Sequence, residues 1–287
     1  MTVRPRRSVL YVPGTNVRAL EKAVALAADV ILIDLEDAVA PAAKDEARAH
    51  ALSAIRSGAF ADKELAVRIN GLDTAEAAAD LAVAALADAV VVPKVGTPED
   101  IRRVRAGLAA LDAAATPVWA MIETPMAILN LAAIAATAGG AGAPLACFVL
   151  GTNDLAKDLR LQVTASRYAL LPCLSQAVIA ARAYGLDVLD GVFNSLKDTD
   201  GFAAECRQGR GLGFDGKTLI HPAQIALANE IFAPGEVEIT EARAVVEAFA
   251  LPENAGKGVI TVNGRMTERL HLASAERTLA LAARLRT

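Results

Sequence analysis

What most restricts the folding of this chain is a repeat of short apolar runs. Eight of them, at residues 9–13, 30–37, 64–70, 89–94, 117–124, 145–151, 186–191 and 216–221, recur at roughly 25–30 residues, the length of one strand plus a crossover helix. The runs are continuous rather than alternating, as in VILIDLED at 30–37 and AVVVPK at 89–94. Continuous runs suit parallel strands covered on both faces, and parallel strands need crossovers. The stretches between them are rich in Ala, Leu, Arg and Glu, and Pro41, Pro98, Pro125 and Pro222 each fall where a helix would begin. Eight strand–helix units without a long polar linker predict a closed (β/α)8 TIM barrel, with a doubly wound open sheet as the alternative. The barrel is expected over residues 1–232. Residues 233–287 are surplus to it and read as a C-terminal helical extension: a helix near 240–251, an extended piece at 258–263 and a terminal helix near 271–286. Such an extension can pack under its own barrel or cross onto a neighbouring subunit.

Composition narrows the function classes. The 287 residues are 54% apolar but only 4% aromatic, so the apolar content reflects Ala-rich helices, and no run reaches the roughly 18 residues of a membrane span. The basic start MTVRPRR leads into a strand rather than a signal-peptide core, which points to a cytoplasmic protein with no membrane partner. A net charge of −4 argues against nucleic acid, whose phosphates require a basic face. Cys147, Cys173 and Cys206 are odd in number and far apart, as expected of buried thiols.

In a barrel the chemistry sits at the C-terminal ends of the strands. The residues there are Gly14, Glu36 and Asp37, Arg68 and Asn70, Lys94, Glu123, Asn153 and Asp154, Asp190, and His221. Five carboxylates and two cations on one rim repel unless a cation joins them. All-oxygen ligands at Glu123 and Asp154 suit Mg²⁺, with Mn²⁺ possible, rather than zinc. Arg68, set among β-formers, needs a partner: a substrate carboxylate, or internally Glu36 or Glu123. Glu36 and Asp37 can instead cap the next helix, with Lys44 and Arg48 as partners. A Schiff base at Lys94 is disfavoured, because the surrounding carboxylates raise the amine pKa. Residues 211–216 spell GxGxxG, but ahead of a strand, where the dinucleotide mechanism has no helix N-terminus to use. Residues 139–144 read as a helix-to-strand loop, and His221 before Pro222 reads as the start of a helix.

The blocks at 7–14 (RSVLYVPG), 29–48 (DVILIDLEDAVAPAAKDEAR), 67–70 (VRIN), 121–124 (MIET), 151–155 (GTNDL) and 213–222 (GFDGKTLIHP) resemble the CitE-like branch of the HpcH/HpaI aldolase and citrate lyase superfamily. The resemblance implies a Mg²⁺-dependent barrel enzyme, a homotrimer or hexamer, that cleaves or forms a C–C bond in a 3-hydroxyacyl thioester of CoA or an acyl carrier. Malyl-CoA, citramalyl-CoA and citryl thioesters are typical. It assigns Glu123 and Asp154 to the metal, Arg68 and Glu123 to substrate, Glu36 and Asp37 to an acidic pair near the metal, and Lys217 and Gly14 to the CoA side. Many lyases of this family carry Gly-Lys-Met-Ile-Asp near the C-terminus, with the aspartate a proposed acid/base. This chain has Gly264-Arg265-Met266-Thr267-Glu268, which moves the carboxylate by about 1.5 Å. The leading expectation is a lyase with Glu268 or Asp37 as base, and the glutamate at 268 leaves room for a relative that hydrolyses malyl-CoA instead. The alternatives are a malyl-CoA thioesterase on the same metal site and a non-catalytic acyl-CoA-binding or accessory subunit of a citrate lyase-type complex.

Overall fold

The structure is a computed structural model that describes residues 4–139 and 144–285. The expected loop at 139–144 thus lies largely outside the described residues. Eight parallel strands close into a barrel, each paired with the next and the last with the first: β1 Ser8–Pro13, β2 Val30–Asp34, β3 Glu64–Arg68, β4 Ala89–Val92, β5 Val118–Ile122, β6 Leu145–Leu150, β7 Asp187–Asp190 and β8 Gly216–Leu219. Closure is direct, with Val9 of β1 opposite Val30 on one side and Thr218 on the other. The open-sheet alternative is thereby excluded.

Most of the strands end two or three residues before the apolar runs do. At β2 the reason is local: Asp34 accepts the backbone N–H groups of Glu36 (2.9 Å) and Ala38 (3.2 Å), turning Leu35-Glu36-Asp37 off the ladder. The polar ends of the runs therefore lie in loops just above the barrel.

Inside, Val9, Leu32, Ala66, Val91, Trp119 and Val149 form a buried core, with Tyr11 packed against it. Below them the barrel floor is closed by ion pairs. Arg6 lies over the Trp119 ring at 4.6 Å, bonds both Glu64 oxygens at 2.7 Å and reaches Asp187 at 2.6 Å. A buried guanidinium is tolerable only when paired in this way. The Arg6 network thus fills the N-terminal end of the barrel interior.

The helices begin where expected. Pro98 opens the helix Pro98–Ala110, ahead of which Asp100 accepts the Thr97 N–H at 2.8 Å. The GxGxxG run ends the helix Thr199–Leu212, where Gly213 takes the left-handed φ of 101° and lets the chain turn into β8.

The chain divides into two compact units, Arg6–Asn229 and a second running from Glu230 onward with Arg4 and Pro5. The second contains a helix Glu236–Ala250, strands β9 Val259–Val262 and β10 Arg265–Glu268, and a helix Arg269–Arg284. The sequence reading missed β10. Asn263-Gly264 is a two-residue hairpin turn with both φ values positive, 49° and 75°, so the extended piece folds back antiparallel. Phe249, Ile260 and Val262 form the core of this unit, and Arg269 lies over Phe249 at 5.2 Å. Among the described residues no helix is long and apolar enough to cross a membrane.

Candidate active site

A cavity of about 360 Å³ opens at the C-terminal end of the barrel, lined among others by Tyr11, Asp37, Arg68, Met121, Glu123 and Asp154. Its geometry starts from Asp34 and Arg68, register partners at the ends of β2 and β3. Asp34 holds the guanidinium through two parallel bonds, Nε to Oδ1 at 2.7 Å and Nη2 to Oδ2 at 2.6 Å. Burial works against the charge on Arg68, but the bonds to Asp34 outweigh it and keep the group protonated. Only Nη1 is left, 3.0 Å from Glu36, 3.8 Å from Asp37 and 3.8 Å from the Met121 sulfur. Sequence reasoning proposed Glu36 or Glu123 as the internal partner and missed Asp34. The available signal was that two adjacent strands each ended in a charge.

Glu36 is 5% exposed and pairs with Lys94 through Oε1, while its Oε2 lacks a hydrogen-bond partner. Burial pushes its pKa up against the pull of Arg68 and Lys94. Lys94 has a left-handed φ of 54°, unusual for a residue with a side chain, and this aims its backbone N–H at Glu123 Oε1 (2.6 Å). Burial lowers the Lys94 pKa, but the bond to Glu36 more than offsets it, so the amine stays charged and is no Schiff-base nucleophile. The helix-capping alternative for the acidic pair also fails in detail. Lys44 bonds the carbonyls of Leu35 and Glu36 and the side chain of Asn70, and Arg48 pairs with Asp45, Glu76 and Asp80.

Glu123, directly after β5, is 1% exposed. Burial pushes its pKa up to about 7, with Glu36 and Asp154 adding to the rise and the Lys94 N–H and Arg68 opposing it. Asp154 is half-buried in the first turn of the helix Thr152–Asp158 after β6. Between them lies Gly151, where a Cβ would stand 2.5 Å from the Glu123 Cβ and collide with its carboxylate. Glycine at 151 is what lets Glu123 lie against β6. Among the described residues there is no cluster of three or more His, Cys, Asp or Glu able to hold a metal. The pair Glu123 and Asp154 nevertheless fits a Mg²⁺-type ion, which takes one or two carboxylates and completes its shell with water and substrate oxygens. The charge balance agrees: the five carboxylates Asp34, Glu36, Asp37, Glu123 and Asp154 stand with the cations Arg68 and Lys94, which are already paired with Asp34 and Glu36. A Gly151→Ala variant should bind Mg²⁺ about 10- to 100-fold more weakly by calorimetric titration, the usual effect of disturbing a ligand's support. Unchanged affinity would remove Glu123 from the ligand set.

Asp37, with a side chain 59% exposed, lines this cavity and also an adjoining one of about 510 Å³ bounded by Glu36, Lys44, Asn70 and Lys94. Asn153 at the cavity mouth exchanges amide hydrogen bonds with Asn194.

Other expected site residues are placed elsewhere. Lys217 was expected on the CoA side, but it is 0% exposed, and its Nζ is committed to Asp190 (3.1 Å), Glu205 (2.6 Å) and the Gly191 carbonyl. It points out of the barrel wall toward the helix Thr199–Leu212 and cannot reach a ligand. Asp190 belongs to the same buried network, held also by Arg167 at 2.9 Å, so it leaves the rim and Asp34 takes its place. Gly14, the other CoA-side expectation, is buried, with its Cα side against Leu35 and Ala47 and its carbonyl 3.1 Å from His50, and does not line the cavity. His221 starts a helical turn, its Nδ1 accepting the Ala223 N–H at 3.1 Å. Glu268 belongs to the C-terminal unit, at the end of β10.

Comparison with known proteins finds relatives over nearly the whole chain. A family model described as HpcH/HpaI aldolase/citrate lyase matches residues 7–222, nearly the whole barrel. A (3S)-malyl-CoA thioesterase of Cereibacter sphaeroides is 46% identical over 280 residues, covering 97% of this chain and 95% of that protein. The L-malyl-CoA/beta-methylmalyl-CoA lyase of the same species is 35% identical over 300 residues, covering 95% of this chain and 93% of that protein. The crystal structure of CitE from Mycobacterium tuberculosis in complex with magnesium, acetoacetate and coenzyme A matches with a TM-score of 0.76 at 27% identity, covering 99% of this chain and all of that one.

Proposed function

The chain belongs to the HpcH/HpaI aldolase/citrate lyase family, and from that premise we propose that it is a metal-dependent hydrolase of a malyl-CoA-type thioester. The observation that carries this reading is the gap in similarity, 46% to the thioesterase against 35% to the lyase over almost the same span. The sequence alone favours C–C cleavage. The relatives shift the weight to hydrolysis, the outcome for which glutamate at 268 leaves room.

Glu123 and Asp154 would hold the divalent cation, whose chemistry is to polarise the substrate oxygens and offset their charge. Arg68, fixed by Asp34, faces the cavity with Nη1, which would share its contact with Glu36 with an acidic substrate without the guanidinium reorienting, so little side-chain freedom is lost on binding. The closed floor at Arg6 and the buried wall around Glu123 limit water to what enters at the mouth. Asp37, exposed at that mouth, is placed to take a proton from water as its oxygen attacks the thioester carbon. The C–S bond then breaks, and the proton passes to the leaving thiolate, giving the free acid and CoA thiol.

The test is an incubation with malyl-CoA, with Mg²⁺ or with EDTA, in which thiol and acetyl-CoA are followed separately. Metal-dependent thiol without acetyl-CoA is the expected result. Acetyl-CoA with glyoxylate would return the protein to the lyases, the reading that the 35% relative favours.

A further inference from the structure

Two hydrogen-bond donors in the barrel cavity converge on the Met121 sulfur; Nη1 of Arg68 also pairs with Glu36 at 3.0 Å, whereas the sulfur is the acceptor that the Tyr11 hydroxyl meets. Tyr11 extends inward from β1, packs on the inner core and lines the cavity beside Met121. Its hydroxyl meets the Met121 sulfur at 3.9 Å, and Nη1 of Arg68 meets the same sulfur at 3.8 Å. A thioether is a weak acceptor, whereas a tyrosine hydroxyl removed from bulk water ordinarily finds an oxygen or nitrogen. Phenylalanine would make the same ring contacts at position 11, so packing alone does not account for the hydroxyl.

The pair is also rigid. The Arg68 guanidinium lies over the Tyr11 ring, 5.0 Å from its centroid, and Asp34 occupies the other two guanidinium nitrogens. Neither donor can move far from the other. Burial holds the Tyr11 pKa well above its ordinary value, so the phenol keeps its proton and acts as a donor. Two fixed donors, one of them cationic, gain most from an ionised oxygen, because charge-assisted bonds are about twice as strong as neutral ones.

We propose that Tyr11 is a substrate-binding residue whose hydroxyl, together with Nη1 of Arg68, donates to a carboxylate oxygen of the hydroxy acid. The substrate oxygen offers both donors a stronger acceptor than the sulfur they share. The inference rests on the hydroxy-acid substrate proposed above and deepens it.

The experiment compares the wild-type protein with Tyr11→Phe, titrating L-malate in saturating Mg²⁺ by calorimetry and assaying both proteins for thiol release from malyl-CoA. Loss of a hydrogen bond to a charged group should weaken malate binding about tenfold or more in the variant, with Mg²⁺ affinity and thermal midpoint unchanged. A merely structural hydroxyl would leave malate affinity where it was. Equal affinities, or no binding of malate by the wild-type protein, overturn the inference. Thiol release decides the hydrolase reading separately. If the wild type releases none while the variant still loses malate affinity, the hydrolase fails and the role of Tyr11 stands. If the wild type hydrolyses malyl-CoA but both proteins bind malate equally, the reverse holds.

Discussion

Replacing Glu123 with glutamine should lower metal-dependent turnover about a hundred- to a thousandfold while the barrel stays folded, a loss of the size seen when one preorganised electrostatic group is removed. Glutamine preserves the shape that Gly151 accommodates and can still receive the Lys94 N–H, so packing is barely disturbed. What it lacks is the charge that balances a divalent ion. The same substitution alters pH dependence in a direction fixed by the pKa near 7. Below that pH a proton must leave Glu123 before the metal is bound, so apparent Mg²⁺ affinity should fall as pH drops below about 7 and level off above it. The glutamine variant should show no such slope.

The sign for stability is opposite. A carboxyl whose folded pKa lies above its ordinary value of 4.5 favours folding in its protonated form. That contribution is complete below the unfolded pKa and is lost as pH rises through about 7. Metal-free protein should therefore lose thermal stability between pH 5 and 8 through this group, and Glu123→Gln should remove that part of the loss. Thermal scans with and without Mg²⁺ at both pH values read it. Turnover that survives the substitution would remove Glu123 from the metal site.

Lys217→Met should be the most destabilising single change outside the apolar core. Methionine fills much of the same volume but leaves Asp190 and Glu205 with Arg167 as their remaining cation in a buried network. Breaking a buried ion pair from one side typically destabilises by about 3–5 kcal/mol, which for a unit of this size lowers the melting midpoint by roughly 10 °C. The KM for the CoA thioester should not change at a temperature where the variant is folded. A raised KM with an unaltered melting curve would restore Lys217 to the CoA side.

Lys217 and Asp34 show why the site was only partly legible in the sequence. Both sit in strands whose residues are buried on the inner and outer faces alike, so the alternation that reveals a strand's orientation in an exposed sheet is masked. Lys217 could equally have pointed into the barrel, and Asp34 could have been an outward pair. Glu123, Asp154, Asp37 and Arg68 were easier, because they stand at the ends of the runs, where the strand gives way to the loop above the barrel. The Arg6 floor was hidden differently. It joins residues as much as 181 positions apart, and a basic N-terminus shows no sign of that in one dimension.

The sequence by itself determined the eight parallel strands, their order of closure, the helix starts and the collection of carboxylates on one rim. Each of these follows from local periodicity, from turn and cap residues, or from the rule that the ends of parallel strands share one face. Only the tertiary structure decided that Asp34 fixes Arg68, that Lys217 and Asp190 are internal, and that Tyr11 and Arg68 share the Met121 sulfur. Those contacts depend on the register between neighbouring strands and on which face each side chain takes, and a one-residue change in register would exchange the two faces.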